Sequence, residues 1–134
     1  MKKGNILLVD DDKGYLQLVA CIFERAGIKV HYAMCGEEAI GILKKGSIAT
    51  MLTDLNMPGI DGFELAMIAK ELLPDIEIVM ITGDISPEVY RMAAKSGIAK
   101  VLAKPVNAED IQKIFRGKIA WQHVPTIDKN RSID

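Results

Sequence analysis

The sequence predicts one doubly wound α/β domain: a five-stranded parallel sheet with helices on both faces. Three observations carry this. Short apolar runs alternate with helix-period segments five times along the chain, and strict alternation of that kind leads to a parallel sheet covered on both sides. At 134 residues the chain is long enough for one well-filled domain and too short for two ordinary ones. Only the second apolar run has one polar side, which suits a strand at the sheet edge.

Taken in order, Ile6 to Val9 is a compact apolar run ending in acids and reads as a buried strand. Residues 13–26 follow as a helix with Leu16, Val19, Ala20 and Phe23 on one stripe, closed by Gly27. Ile28, Val30 and Tyr32 then alternate with Lys29 and His31 as the half-polar edge strand. Residues 37–45 read as a helix stopped by Gly46, and Ala49 to Thr53 as a strand that ends at Asp54. Asp61 with Glu64 forms a capping box for a helix running to about Leu73, where Pro74 ends it. Ile76 to Ile81 is a fourth strand. Ser86 and Pro87 open the next helix as N-cap and first-turn proline, and Gly97 closes it. Val101 to Ala103 is the fifth strand, and Asn107 caps a last helix carrying Ile111, Ile114 and Phe115. Right-handed crossovers and an edge position for the second strand favour the flavodoxin-like order 2-1-3-4-5. The domain is expected over residues 1–118, and 119–134 read as a tail or the start of a linker.

Composition removes several classes of function. A formal net charge of −1, with both signs interspersed, gives no support to nucleic-acid binding. No apolar run approaches a membrane span, and the stretch after Lys2 and Lys3 is cut off by Asp10, Asp11 and Asp12, so no secretory signal is expected. Cys21 and Cys35 lack metal-ligand spacing, and Cys21 reads as a small buried hydrophobe. The expected location is the cytoplasm. Met51 and Met80 on strands and Met67 and Met92 on helices suit core filling, and His31 reads as solvent-facing. His123 has no second ligand at metal spacing, and Trp121 lies in the unpatterned tail.

In open α/β sheets ligands bind beyond the carboxyl ends of the strands, near the point where strand order reverses. The first strand ends in Asp10, Asp11 and Asp12, the third in Asp54, the fourth in Thr82 and Gly83, and the fifth in Lys104 and Pro105. Asp12 also serves as an ordinary helix N-cap. Converging carboxylates repel unless a cation joins them, and Mg²⁺ favours a few carboxylates together with waters and a phosphate oxygen. An aspartate beside such an ion can act as a nucleophile, with Lys104 neutralising charge and Thr82 donating a hydrogen bond to a phosphoryl oxygen. Singly each residue has an ordinary reading as turn, cap or surface lysine; together they form one coherent site.

The runs ILLVDDD, TDLNMPGIDGFEL, IVMITG and LAKP, in this order and spacing, resemble the receiver domains of response regulators over about residues 5–118. The resemblance implies that Asp54 is the phosphorylated residue, Asp11 the more direct Mg²⁺ ligand and Asp10 a ligand through water. The Asn56 main-chain carbonyl would complete the protein's share of the metal shell. Thr82 is the implied switch hydroxyl and Lys104 the lysine that pairs with the phosphoryl group, followed by a cis bond to Pro105. Implied partners are a histidine kinase or phosphotransfer protein as donor and an output domain or downstream protein. A phosphorylation-dependent homodimer through the last helices is compatible with it. The chain would assist its own phosphorylation without acting on an external metabolite.

Two positions depart from the family pattern. Val101 and Val106 stand where aromatic residues are frequent, so the output surface should be shallower and aliphatic. Asn56 and Asp84, two residues beyond Asp54 and Thr82, border the path of the attacking water in this family; both are small and polar, which implies a phosphoryl group that is not long-lived. A rival reading is a metal-dependent phosphohydrolase with an aspartyl-phosphate intermediate. In its haloacid-dehalogenase-like form, however, the nucleophile follows the first strand in a DxD arrangement, and no cap domain is evident here. A flavodoxin-like cofactor binder would want a Gly-, Ser- and Thr-rich phosphate loop where this chain carries three aspartates.

Overall fold

Apolar alternation along each strand builds two separate cores, one on either face of a single sheet. The computed structural model describes residues 5–115. Its elements are β1 (Asn5–Val9), α1 (Lys13–Arg25), β2 (Val30–Ala33), α2 (Gly36–Leu43), β3 (Ile48–Thr53), α3 (Gly62–Leu72), β4 (Glu77–Thr82), α4 (Pro87–Lys95), β5 (Lys100–Ala103) and α5 (Ala108–Phe115). All strand pairs are parallel, in the order β2-β1-β3-β4-β5. The expected fold class and strand order are therefore what the chain adopts, with β2 at an edge.

Successive strand residues point to opposite faces. Leu7, Val9, Met51, Ile78 and Met80 pack with Ala39, Leu43, Leu65, Ala69, Val89 and Ala93 of α2, α3 and α4. Ile6, Leu8, Leu52, Val79 and Ile81 pack on the other face with Leu16, Val19, Ala20 and Phe23 of α1 and with Ile111 of α5. Phe23 is fully buried; truncating such a side chain to alanine costs about 3–5 kcal/mol.

The local signals act as expected. Asp12 caps α1 by accepting from Tyr15 N–H at 3.1 Å. Asp61 and Glu64 make both bonds of a capping box, and Ser86 caps α4 with Pro87 in the first turn. Asn107 and Asp110 exchange side-chain-to-backbone bonds at the start of α5. Gly27, Gly46 and Gly97, just beyond α1, α2 and α4, all have positive φ, as chain reversals after helices favour.

Some side chains sit elsewhere than expected. Cys21 is exposed on α1, because the buried stripe runs through Leu16, Val19, Ala20 and Phe23 and leaves position 21 on the outer face. Met67 and Met92 are exposed, at 52% and 37%, since the buried positions of α3 and α4 are taken by neighbours such as Ala66, Ala69, Val89 and Ala93. His31 is half-buried rather than solvent-facing, with Nε2 enclosed and lacking a hydrogen-bond partner. It alternates with Tyr32, which takes the exposed side of β2. The strand begins at Val30, so Ile28 precedes it. The tail at 119–134 with Trp121 and His123, and the side chains of Ile114 and Phe115, lie outside the described residues.

Candidate functional site

Strand order reverses between β1 and β3, which lie side by side with β1 leading outward to β2 and β3 to β4. The residues following these two strands, Asp10 and Asp54, meet at that switch point. The Asp54 backbone N–H continues the ladder by donating to Val9 O at 2.9 Å. One oxygen from each of Asp10, Asp11 and Asp54 lies within 4.8 Å of the others. Asp10 and Asp54 are buried and Asp11 is exposed, so the cluster opens to solvent on the Asp11 side. Three hard oxygen donors at this spacing suit a small divalent cation such as Mg²⁺, whose remaining positions are filled by water or phosphate.

The two buried carboxylates are each held by a backbone N–H. Asp10 Oδ1 accepts from Asp12 N–H at 2.9 Å, and Asp54 Oδ1 accepts from Leu55 N–H at 2.8 Å. The Thr53 hydroxyl donates to Asp54 O at 2.9 Å. Lys104, after β5, places Nζ 2.8 Å from Asp10 Oδ2 and 3.5 Å from Asp54 Oδ1. Its backbone N–H donates to Thr82 O at 2.9 Å, and the Lys104–Pro105 bond is cis.

Electrostatics follow from this packing. Burial, then the charge of Asp10, raises the Asp54 carboxyl above its ordinary value, against the opposing pull of Lys104 and the Leu55 N–H. Burial pulls the Lys104 ammonium down, but the hydrogen bond and charge of Asp10 and the charge of Asp54 outweigh it and leave its pKa raised. Lys104 thus keeps its charge favoured, beside a carboxyl whose charged form burial and Asp10 disfavour.

Thr82 is fully buried at the end of β4. Its hydroxyl accepts from Asp84 N–H at 3.1 Å, Asp84 Oδ1 accepts from Ser86 N–H at 3.1 Å, and Ser86 Oγ accepts from Val89 N–H at 3.4 Å. A chain of side-chain-to-backbone bonds therefore leads from Thr82 to the first turn of α4. Asn56 is exposed on the loop after β3. Val101 is half-buried against the α4-side core and Val106 is buried in the other one.

Gly62 opens α3 against the end of β3. A Cβ there would collide with Asp54 O, and would lie 2.8 Å from Met80 Cε and 2.9 Å from Leu55 Cα. It therefore permits a close approach, whereas Gly59, with φ of 80°, serves the turn before it.

Sequence reasoning missed Tyr15. Lys104 Nζ stands over its ring, 4.7 Å from the centroid, and its hydroxyl accepts from Val106 N–H at 3.4 Å. The available signal was its place in the first turn of α1: helical side chains tilt toward the N-terminus, which here is the end beside Asp10.

A doubly wound parallel sheet with an acidic, lysine-backed, metal-compatible pocket at its switch point defines the class of the chain. Within that class the chain belongs to the family described as Response regulator receiver domain, whose model matches residues 6–116. The response regulator receiver protein CpdR of Brucella abortus is 35% identical over 106 residues, covering 79% of this chain and 88% of that protein. The heme response regulator HssR of Staphylococcus epidermidis is 32% identical over 114 residues, covering 85% of this chain but only 50% of HssR. Among solved structures, a CheY-like receiver domain protein from Methanospirillum hungatei superposes with a TM-score of 0.82 at 29% identity, covering 87% of this chain and 94% of that one. A response regulator from Burkholderia pseudomallei, solved with a phosphorylated aspartic acid, calcium ion and citrate, gives 0.76 at 30% identity, covering 81% of this chain and 64% of that one. No helix among the described residues is long and apolar enough to cross a membrane.

Proposed function

We propose that this chain is a phosphoacceptor of two-component signalling, taking a phosphoryl group onto Asp54 from a phosphohistidine of a histidine kinase or phosphotransfer protein. The observation that carries the reading is the Asp54 carboxylate, clustered with Asp10 and Asp11 and faced by the Lys104 ammonium at 3.5 Å. The phosphorylated aspartic acid and calcium ion in the structure of the Burkholderia relative support it.

Asp10, Asp11, Asp54 and the Asn56 carbonyl would hold Mg²⁺, which supplies charge neutralisation for the incoming phosphoryl oxygens. Asp54 attacks as the nucleophile: its oxygen forms the new P–O bond while the histidine of the donor departs with the electron pair of the broken P–N bond. Lys104 meets the negative charge spread over the equatorial oxygens. Thr82 reaches the new phosphoryl group by giving up Asp84 N–H, which loosens the bond chain leading to α4 and changes the surface of α4, β5 and α5 that faces an output domain or partner. With Val101 and Val106 in place of aromatics, that surface carries the signal through backbone shifts rather than ring rotation. The cytoplasm, where phosphohistidine donors of this kind act, is the proposed location, and α4–β5–α5 the face through which a phosphorylated homodimer would form.

Intact-mass spectrometry after incubation with acetyl phosphate and Mg²⁺ tests the reading. One phosphoryl adduct is expected, absent from Asp54→Ala and from a metal-free sample. A folded protein that takes no adduct, or that instead turns over small phosphate esters, would defeat it; the second result would favour a phosphohydrolase.

A further inference from the structure

Tyr15 comes from the first turn of α1, yet it grips the junction between β5 and α5 at two points. Its ring lies under the Lys104 ammonium and its hydroxyl accepts from Val106 N–H. Its own position is set by Asp12, which binds the Tyr15 N–H as it caps the helix. The ring shares one small cavity with Asp10, Thr53, Asp54 and Ile81, so it borders the acceptor without hydrogen-bonding to it.

Lysine carries a point charge on a long flexible stem. Here it has two carboxylate partners at unequal distances, 2.8 Å to Asp10 and 3.5 Å to Asp54, and its side chain is 26% exposed. The ammonium is hydrogen-bonded to Asp10 and close to Asp54, and nothing in those two contacts alone prevents it from swinging outward, away from Asp54. An aromatic face attracts a cation placed within about 6 Å of its centroid, and the Val106 bond fixes the ring.

We propose that Tyr15 is a positioning residue that holds the Lys104 ammonium between Asp10 and Asp54, ready to meet a phosphoryl group arriving on Asp54. The role rests on the reading of Asp54 as acceptor. Tyr15 exchanges no proton and forms no bond in the transfer; it acts by restricting where Lys104 can go.

Two variants of the full chain separate the ring from its bulk. Tyr15→Leu keeps an apolar side chain without a π face, and Tyr15→Phe keeps the face without the hydroxyl. With acetyl phosphate and Mg²⁺, the maximal phosphorylation rate of Tyr15→Leu should fall roughly 3–10-fold, with little change in the acetyl phosphate concentration giving half that rate. Tyr15→Phe should recover most of the loss. Independently of any phosphorylation, the Lys104 ε-methylene protons should show an upfield ring-current shift in wild type and Tyr15→Phe that disappears in Tyr15→Leu. A wild type that is phosphorylated while Tyr15→Leu keeps its full rate overturns the positioning role and leaves the acceptor reading standing. So do Lys104 protons unshifted in the wild type, or an equal loss of rate in both variants. A wild type with shifted Lys104 protons that takes no phosphoryl group defeats the acceptor reading, and the role of Tyr15 falls with it.

Discussion

Replacing Asp54 by Asn should make the metal-free protein more stable, although Asp54 is the centre of the site. The oxygens of Asp10, Asp11 and Asp54 lie within 4.8 Å of one another. Two unit charges at that distance repel by about 1 kcal/mol at the dielectric of water and about 3.5 kcal/mol at an effective value of ~20. Lys104, at 3.5 Å from Asp54, returns an attraction of roughly 1–5 kcal/mol over the same range. With the exposed Asp11 largely screened, the repulsion from Asp10 and the attraction of Lys104 roughly cancel, and burial of Asp54, the largest cause of its raised pKa, leaves a net cost to its charge. Asp54→Asn keeps the shape and removes the charge, so a gain on the order of 1 kcal/mol is expected in EDTA. For a chain of this size that is roughly 3–5 °C in Tm. The folded-state pKa of Asp54 lies above its ordinary 3.8, so the folded protein binds the extra proton and ionisation removes stability as pH rises through that window. The advantage of the Asn variant should be fully present above the folded-state pKa and vanish as pH falls below 3.8. Mg²⁺ should then stabilise wild type more than the variant, because binding to the folded state alone adds stability. Urea denaturation with EDTA or Mg²⁺ reads all of this. A variant less stable than wild type in EDTA at neutral pH, or an equal gain from Mg²⁺ in both, would refute the electrostatic account.

Other expectations follow from the same geometry. Lys104→Met leaves Asp10 and Asp54 facing each other without their cation and should destabilise the metal-free protein by roughly 2 kcal/mol, less than the full penalty for breaking a buried pair because Lys104 is partly exposed; urea titration in EDTA checks it. Gly62→Ala forces a methyl group into Asp54 O and the Leu55 backbone, so a loss of about 1–3 kcal/mol and weaker Mg²⁺ binding are expected, measured by thermal melts across a Mg²⁺ series. Asn56→Ala and Asp84→Ala should each slow hydrolysis of the aspartyl phosphate roughly 3–10-fold by removing polar groups beside the water path; unchanged decay in a phosphate-release assay would end that idea. Asp84→Ala should also weaken the amide protection of α4 more before phosphorylation, while the bond chain from Thr82 is intact, than after it, as hydrogen exchange can show.

The sheet was legible because its cues are local. Short apolar runs such as Ile6 to Val9 and Ile76 to Ile81, together with the caps at Asp61, Ser86 and Asn107, report on neighbours only a few residues away. The acids and lysine were legible for the same reason: a parallel sheet collects the ends of its strands on one edge, so Asp10, Asp54 and Lys104 needed only their strands to be recognised. What escaped depends on the rotation of a helix about its axis or on contacts far apart in sequence. Cys21, Met67 and Met92 were misplaced because an apolar residue on the outer face of a helix has the same letter as one on its inner face. Tyr15 was overlooked because its partners, Lys104 and Val106, lie 89 and 91 residues away along the chain. The direction of the Thr82 hydroxyl, toward Asp84 N–H, depends on a side-chain rotamer that no periodicity encodes.

The most direct test of the central claim is to locate the phosphoryl group itself. Borohydride reduces an aspartyl phosphate to homoserine, so protein treated with acetyl phosphate and Mg²⁺, reduced, digested and sequenced by mass spectrometry should carry homoserine at position 54 and retain aspartate at 10 and 11. Homoserine at Asp10 or Asp11, or none in a protein that had gained a phosphoryl adduct, would contradict the assignment of Asp54 as the acceptor.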